Sequence, residues 1–239
     1  MSYYGRSNRV LVEQALQKGA MTDCQIAECD LSSMPVIGVQ WDHTDIRDTH
    51  ANDIAIQDTV LKKSTFFRSS FMRASFNKVV LDTMVLDGLT LIKSKWHNSR
   101  LANTTMKNLC LQRSIFEKDS FVSSTFLDFE ALDARMDNCV FAHSTIGISY
   151  GSGMNGFSSA DISNCIFYHC RFEGFPLRGA RLDSCVFVYC SGEIGDDMEC
   201  MNVAGIGLRG RARQKPLQRM YEARRLVERC TSQEIRGQA

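Results

Sequence analysis

The sequence lacks the motifs that mark most enzyme and cofactor sites. It contains no phosphate-binding GxxxxGK[ST] loop, no GxGxxG after a strand, no HExxH pair and no CxxC pair. Such motifs supply the backbone cradles and ligand spacings that nucleotides and zinc require. The five histidines are scattered, and none shares a metal-ligand spacing with another. We therefore expect a protein that is not an enzyme and that binds no cofactor and no metal ion.

Long apolar runs and a strong excess of charge are also missing. No stretch approaches the ~20 apolar residues of a membrane span, and residues 7–19 lack the apolar run of a signal peptide. The formal net charge is only +1. These features predict a soluble protein without a transmembrane segment, and we expect no direct binding to nucleic acid.

What the sequence does have is an apolar residue at every fifth position. Phe71 and Phe76 belong to a series of 25 consecutive frames, from residue 26 to residue 146, that all have an apolar centre. A helix would repeat its apolar face every 3.6 residues and a half-buried strand every 2. A second series, from 157 to 187, is offset by one residue. The Gly-rich stretch 147–156 between them predicts a loop at the register slip.

The position two before each centre forms a second pattern, which we call the inward slot. It holds Ala, Val, Ser, Thr or Cys in 18 of the 25 frames. A small and a large inward residue therefore alternate with three outward ones, which suits a narrow tube filled by its large side chains. We expect Phe76 and Trp96, which are the centres of frames four apart, to stack. Asp119 is the one acid in a slot, where it either has a raised pKa and a role or bonds turn amides.

Several of these five-residue units resemble a known repeat. STFFR, SSFMR, ASFNK, STFLD and ARLDS are similar to degenerate versions of the A(D/N)LXX unit of pentapeptide-repeat proteins, and the resemblance covers about residues 22–190. It implies an all-β solenoid: a right-handed quadrilateral β-helix of about 8 coils, with four pentapeptides per coil. Few frames carry Asp or Asn before the centre, as Asp30 and Asp45 do.

A solenoid needs caps at its ends, because each coil contacts only its neighbours. We expect an N-terminal helical cap within residues 1–21, where Asn8 can begin a helix and Gly19 can end it, and then the repeats at 22–190. A loop and a basic C-terminal helix follow within 191–239. This last helix is predicted at 216–230 and has one apolar face, on which we place a second cap or a homodimer contact. The residues of that face are Leu217, Met220, Tyr221 and Val227.

The cysteines follow the repeat rather than a disulfide or zinc pattern. Free cysteine in such a slot behaves as a small buried hydrophobe. We expect these thiols to be reduced and buried, which fits a bacterial cytosol. The slot cysteines are Cys24, Cys29, Cys139, Cys165, Cys170 and Cys185, and Cys190 continues the series.

The outward positions suggest where a partner protein binds. Positions that are four frames apart stack on one face, which aligns Arg73, Lys93 and Arg113 as a basic stripe, with Lys78 and Lys118 on the next face. Basic side chains that repel one another beside outward apolar residues are the candidate contact surface. The apolar column beside the stripe consists of Met72, Ile92 and Leu132, with Gln112 between the last two.

The sequence favours a non-enzymatic protein-binding scaffold whose partner it does not name. The family resemblance implies two alternatives. One is a DNA-mimicking, topoisomerase-binding protein of the quinolone-resistance type, which requires a strongly negative surface. The coil with Asp48, Asp53 and Asp58 is acidic, but the next coil carries a basic collar that includes Arg68, Arg73 and Lys78. The other alternative is a bacterial effector that is secreted into host cells.

Overall fold

The structure is a computed structural model that describes residues 7–193, 202–204, 224–225 and 227–229. Helix α1 spans Arg9–Gln17, and the described residues of 224–229 are helical. The strands up to the register slip are β1 (Ala20–Thr22), β2 (Gln25–Ala27), β3 (Pro35–Ile37), β4 (Gln40–Asp42), β5 (Asp45–Arg47), β6 (Ala55–Gln57), β7 (Val60–Lys62), β8 (Thr65–Phe67), β9 (Ser75–Asn77), β10 (Val80–Asp82), β11 (Val85–Asp87), β12 (Lys95–His97), β13 (Arg100–Ala102), β14 (Thr105–Cys110), β15 (Ile115–Glu117), β16 (Ser120–Val122), β17 (Thr125–Glu130), β18 (Arg135–Asp137), β19 (Val140–Ala142) and β20 (Thr145–Gly147). The strands after it are β21 (Asp161–Ser163), β22 (Ile166–Tyr168), β23 (Arg171–Glu173), β24 (Arg181–Asp183), β25 (Val186–Val188), β26 (Ser191–Gly192) and β27 (Asn202–Ala204).

The strands form three parallel sheets along the sides of a column. Sheet A has ten strands in the order β1-β4-β7-β10-β13-β16-β19-β22-β25-β27, sheet B has nine from β2 to β26, and sheet C has eight from β3 to β24. Before the slip, each strand pairs in register with the strand four frames away, as Phe76 pairs with Trp96. The column has about nine coils, against the roughly eight expected. This is the quadrilateral β-helix that the five-residue frame predicts.

The fourth side of each coil is a turn rather than a sheet strand. The carbonyl of Phe71 accepts a hydrogen bond from the N–H of Ala74, and Leu91 and Ser94 repeat this bond one coil later. Coils are joined on this side by single bridges, such as the one between Ser70 and Thr90. We call this side the turn face. Along the chain, the order of sides is sheet A, sheet B, turn face and sheet C.

The residue two after nearly every centre stands at a corner with a positive φ. Arg73 has a φ of 56° and Lys93 a φ of 58°, a left-handed conformation that glycine and asparagine adopt far more readily than arginine or lysine. Hydrogen bonds between coils hold the chain there: the N–H of Arg73 donates to the carbonyl of Ile92 at 2.9 Å. Each corner therefore turns the chain and points one side chain outward.

The inward centres fill the axis with stacked aromatic rings. Phe76 and Trp96 stack with their ring centroids 3.8 Å apart and their planes 11° from parallel, which confirms the stack expected from the sequence. Below sheet A, Phe121 and Phe141 form a second stack, with their ring centroids 4.5 Å apart. Aromatic stacking adds to the burial of these rings, so the column is a packed core rather than a channel.

The register slip lengthens one coil without interrupting the sheets. Phe141 pairs with Phe167, which lies one frame and one residue beyond the regular partner position, and the two rings still stack at 4.9 Å. The additional residues leave the column between β20 and the bridge at Gly156, and Tyr150 at the tip of this loop is fully exposed. Stacking therefore passes through the slip.

The first coil is covered by α1, which buries Val12 and Leu16. The Asn8 side chain accepts a hydrogen bond from the N–H of Val10 and begins the helix, and Gly19 follows its end with a φ of 79°. Cys24 lies in the first coil and is only partly buried, unlike the later slot cysteines, which are free and buried. The expectation of full burial is therefore wrong for Cys24, which remains partly exposed under the cover that α1 gives the first coil.

Candidate partner-binding surface

Coil-to-coil hydrogen bonds align the basic stripe as the sequence predicts. The N–H groups of Arg73, Lys93 and Arg113 each donate at 2.9 Å to the carbonyl before the matching corner of the next coil, so the three corners follow one line. The spacing between coils is about 4.8 Å, as in any sheet. All three side chains are exposed.

The charges of the stripe are not free along its whole length. Arg73 donates two hydrogen bonds of 2.7 Å to Asp53, one coil earlier, and the guanidinium holds the pKa of that carboxyl below its usual range. Arg113 lies 3.9 Å from Asp133, one coil later. Lys93 stands between the two arginines, and its ammonium forms no ion pair with a described residue. The stripe therefore ends in two carboxylates and presents one unpaired cation at its centre.

The apolar column lies directly beside these corners. Met72 and Ile92 are half-buried, and Leu132 is 36% exposed. The Asn52 side chain accepts a hydrogen bond from the N–H of Met72 at 3.0 Å. This bond fixes the turn that carries Met72 to the preceding coil. Gln112 interrupts the column between Ile92 and Leu132, and its amide donates a hydrogen bond to Glu130 at 2.9 Å. The Lys93 corner thus directly follows the apolar residue Ile92 on the same face.

The acidic and basic collars neutralise each other. Arg68 pairs with Asp48 at 2.9 Å, and Lys78 lies 3.9 Å from Asp58. Both pairs join matching corners of adjacent coils, as Arg73 and Asp53 do. Lys118, by contrast, is exposed and forms no ion pair with any residue that the structure describes. The expected ladder of mutually repelling charges is thus wrong at Arg73, Arg113 and Lys78, because an acidic corner faces each one.

An apolar surface on the side of the column was not anticipated from the sequence. The outward side chains on both sides of the centres Phe141, Phe167 and Phe187 are buried or half-buried, and Val227 packs among them with 4% of its surface exposed. This contact lies on the outer side of sheet A. The residues around Val227 are Val140, Ala142, Ile166, Tyr168, Val186 and Val188.

This lateral contact changes the expectation for the C-terminal helix. The sequence predicts that this helix forms a second cap or a homodimer contact. Val227 instead packs against the side of the column at β19, β22 and β25, and the homodimer contact stays a prediction. The other three residues of that face, Leu217, Met220 and Tyr221, lie outside the described residues. The sequence contained a signal for this lateral contact. The outward positions of sheet A from residue 140 onward are Val, Ala, Ile and Tyr instead of polar residues.

A groove on sheet C is lined by four carboxylates, those of Glu117, Asp137, Asp161 and Asp183. Asp161 pairs with Arg181, and Asp137 accepts hydrogen bonds from Ser163 and Asn164 at 2.8 and 2.9 Å. Nowhere in the described ranges do three or more His, Cys, Asp or Glu side chains form a group that could hold a metal ion. The carboxylates of the groove thus act as partners of neighbouring side chains.

Four five-residue sides in each regular coil and an inward apolar centre on each side decide the architecture. The chain has the pentapeptide-repeat fold. No protein-family model matches it, and no curated protein matches it either. Among the helical residues that the structure describes, none belong to a helix long and apolar enough to cross a membrane.

Three solved structures illustrate what this chain is similar to. One is HetL, a pentapeptide-repeat protein involved in heterocyst differentiation regulation from the cyanobacterium Nostoc sp. strain PCC 7120, with 11% identity, 86% of this chain and 94% of that chain covered, and a TM-score of 0.38. Another is QnrB1, a plasmid-mediated fluoroquinolone resistance protein, with 14% identity, 88% and 87% covered, and a TM-score of 0.46. The catalytic domain of a GH87 α-1,3-glucanase has 8% identity, 90% and 66% covered, and a TM-score of 0.36. At such values, the assignment of the fold depends on the coil geometry described above.

Proposed function

We propose that this chain is a non-enzymatic scaffold in a bacterial cytosol that binds a partner protein through the turn face. The observation that supports it is the Lys93 ammonium, which has no ion pair with a described residue and stands at the centre of the stripe beside the column of Met72, Ile92 and Leu132. When a partner covers apolar side chains that are partly exposed on a rigid face, their burial stabilises the complex. The lysine speeds encounter with an acidic partner, and the apolar column slows release.

The pairing of the two collars favours this function over DNA mimicry. A DNA mimic needs a continuous negative surface, whereas Asp48, Asp53 and Asp58 each face a cationic corner of the next coil. The effector alternative concerns delivery and not the binding surface, so it is compatible with the same turn face. Lys118 stands beyond the turn face, at the corner where sheet C ends. It has no ion pair with a described residue, and we assign it to the edge of the same contact.

The test compares two lysines in the same kind of corner. Lys93→Glu reverses the charge at the centre of the stripe, and Lys63→Glu does so at the diagonally opposite corner, where Lys63 is also exposed with a positive φ. Partners captured from a lysate by the tagged wild-type chain are quantified by mass spectrometry and compared with those of both variants. We expect one captured protein to be lost with Lys93→Glu and retained with Lys63→Glu.

If the wild type and Lys93→Glu capture the same proteins in equal amounts, the turn face is not the binding surface. The triple change of Arg73, Lys93 and Arg113 to Glu is a weaker test, because it also places Glu beside Asp53 and Asp133. A neutral change of the apolar column, Ile92→Ser, separates the two contributions. It should leave the association rate nearly unchanged and raise the dissociation rate, measured with the purified partner.

A further inference from the structure

Serine side chains in the inward slot form two hydrogen bonds at once. The hydroxyl of Ser64 accepts a bond from the N–H of Thr44, one coil earlier, at 2.8 Å and donates to the carbonyl of Lys62 at 2.7 Å. Ser124 does the same, accepting from Thr104 at 3.2 Å and donating to the carbonyl of Val122 at 3.0 Å. A residue in this slot therefore meets one backbone donor and one backbone acceptor.

Asp119 occupies the same slot and satisfies only the first of these two groups. Its Oδ1 accepts a hydrogen bond of 2.7 Å from the N–H of Ser99, one coil earlier. The residue is 1% exposed, and its Oδ2 is buried and has no hydrogen-bond partner among the described residues. Ser64 and Ser124 each donate to the carbonyl two residues before them, and the corresponding carbonyl for Asp119 is that of Glu117. An ionised carboxylate has no donor to offer there, whereas a protonated one has an O–H.

The surroundings of Asp119 favour its neutral form on balance. Burial raises its pKa to about 7, the backbone hydrogen bonds of Ser99 and Glu117 act in the opposite direction, and the charge of the Glu117 side chain raises the pKa further. Glu117 itself lies 3.5 Å from His97 on the outer surface. Cys139 continues the slot one coil later as a buried thiol. The inward residues of the adjoining strands carry no charge and are Trp96, Leu101, Phe116, Phe121, Met136 and Phe141.

We infer that the Asp119 side chain is a protonated carboxylic acid in the folded protein and that its proton makes the middle of the column pH-sensitive. Oδ2 then donates to a backbone carbonyl, as the serine hydroxyls do, and no charge is buried. When the pH rises above neutrality, the folded chain has to bury an unpaired carboxylate or open locally, and both cost free energy. The contribution of Asp119 to the stability of the column is thus larger at mildly acidic pH than above neutrality.

The sign and size of the effect follow from proton linkage. The folded carboxyl titrates near 7 and the unfolded one near 3.8, so the stabilisation is complete below pH 3.8 and is lost as the pH rises through 7. Between pH 5 and pH 8, the contribution of Asp119 should raise the unfolding equilibrium constant about 100-fold. Asp119→Asn, which keeps a donor and an acceptor but cannot ionise, should lack this contribution.

The experiment measures guanidinium unfolding of the full chain at pH 5 and pH 8. The wild type, Asp119→Asn and Asp119→Ser are compared, with Asp137→Asn as the control, because hydrogen bonds from Asn164 and Ser163 hold the pKa of Asp137 below its ordinary range. We expect wild type and control to lose stability together between the two pH values, and both Asp119 variants to lose about 100-fold less. In parallel, carbon NMR follows the titration of the Asp119 carboxyl in the wild type.

Titration of the Asp119 carboxyl near 4, or the same pH dependence in the wild type and both Asp119 variants, would overturn the inference. The NMR measurement uses the unaltered chain and gives a decision even where a variant does not fold. If the Asp119 substitutions only disturbed packing, they would change the free energy of unfolding by the same amount at pH 5 and pH 8. That result would also contradict a bound proton.

Discussion

Replacement of Phe76 by Ala tests the packing of the column most directly. The ring is 4% exposed and stacks on Trp96 with a centroid distance of 3.8 Å. Loss of a buried Phe side chain costs about 3–5 kcal/mol when the cavity stays open, and a stacked pair adds about 0.5–1.5 kcal/mol to the value of its burial. Because hydrogen bonds on both sides fix the coils, the cavity cannot close, and we expect a loss near the upper end, about 4–5 kcal/mol.

The matched control is Phe67→Ala, which removes the same type of side chain from an outward position. Phe67 follows the inward centre Phe66 and is half-buried on the surface, where the Arg68 guanidinium lies 4.7 Å above its ring. An exposed cation–π contact is worth about 0.5–1 kcal/mol, so this variant should lose about 1 kcal/mol. Guanidinium unfolding at one pH measures both. Equal losses, or a larger loss for Phe67→Ala, would refute the five-residue frame and the stacked axis.

Three further predictions concern the surface and the thiols. Val227→Asp should release the C-terminal helix from the side of sheet A, since burial of a Val side chain is worth about 1.5–3 kcal/mol. Trypsin should then cleave this helix at least about tenfold faster. An unchanged cleavage rate would show that Val227 does not hold the helix on the sheet. With a thiol reagent on the native chain, Cys110, which is partly buried, should react well before Cys165; if Cys165 reacts first, the slot is open. Arg73→Ala removes an exposed pair with Asp53, so its small effect on stability should vanish in high salt, and a salt-independent loss would point to packing instead.

The inward positions could be predicted because the repeat dictates them one by one. Each centre between residues 26 and 146 that the frame assigns to the interior is buried, and the stack of Phe76 on Trp96 follows from the four-frame coil. The frame is the same on all four sides, however. It therefore could not indicate that the side with Phe71 and Leu91 becomes a turn while the other three become sheets.

The surface was harder to predict, because its contacts link positions in different coils. Arg73 and Asp53 are separated by the same four frames as the residues of the stripe. The stripe was defined by its basic residues alone, so the acidic residues at its two ends, Asp53 and Asp133, were left out. The lateral contact of Val227 required two separate signals: a helix with one apolar face, and apolar residues outside the frame at positions such as Val140 and Val186. Either signal alone is compatible with an end cap or a solvated side.

Coils that touch only their neighbours make this column a one-dimensional chain of cooperative units. Information about binding at one place can reach another only if every coil between them stays folded. The stripe lies within residues 73–113, the lateral helix contact lies within 140–188, and Asp119 stands between the two. A column that loosens around Asp119 would behave as two units that unfold independently of each other. With the proton in place, the two surfaces belong to a single unit.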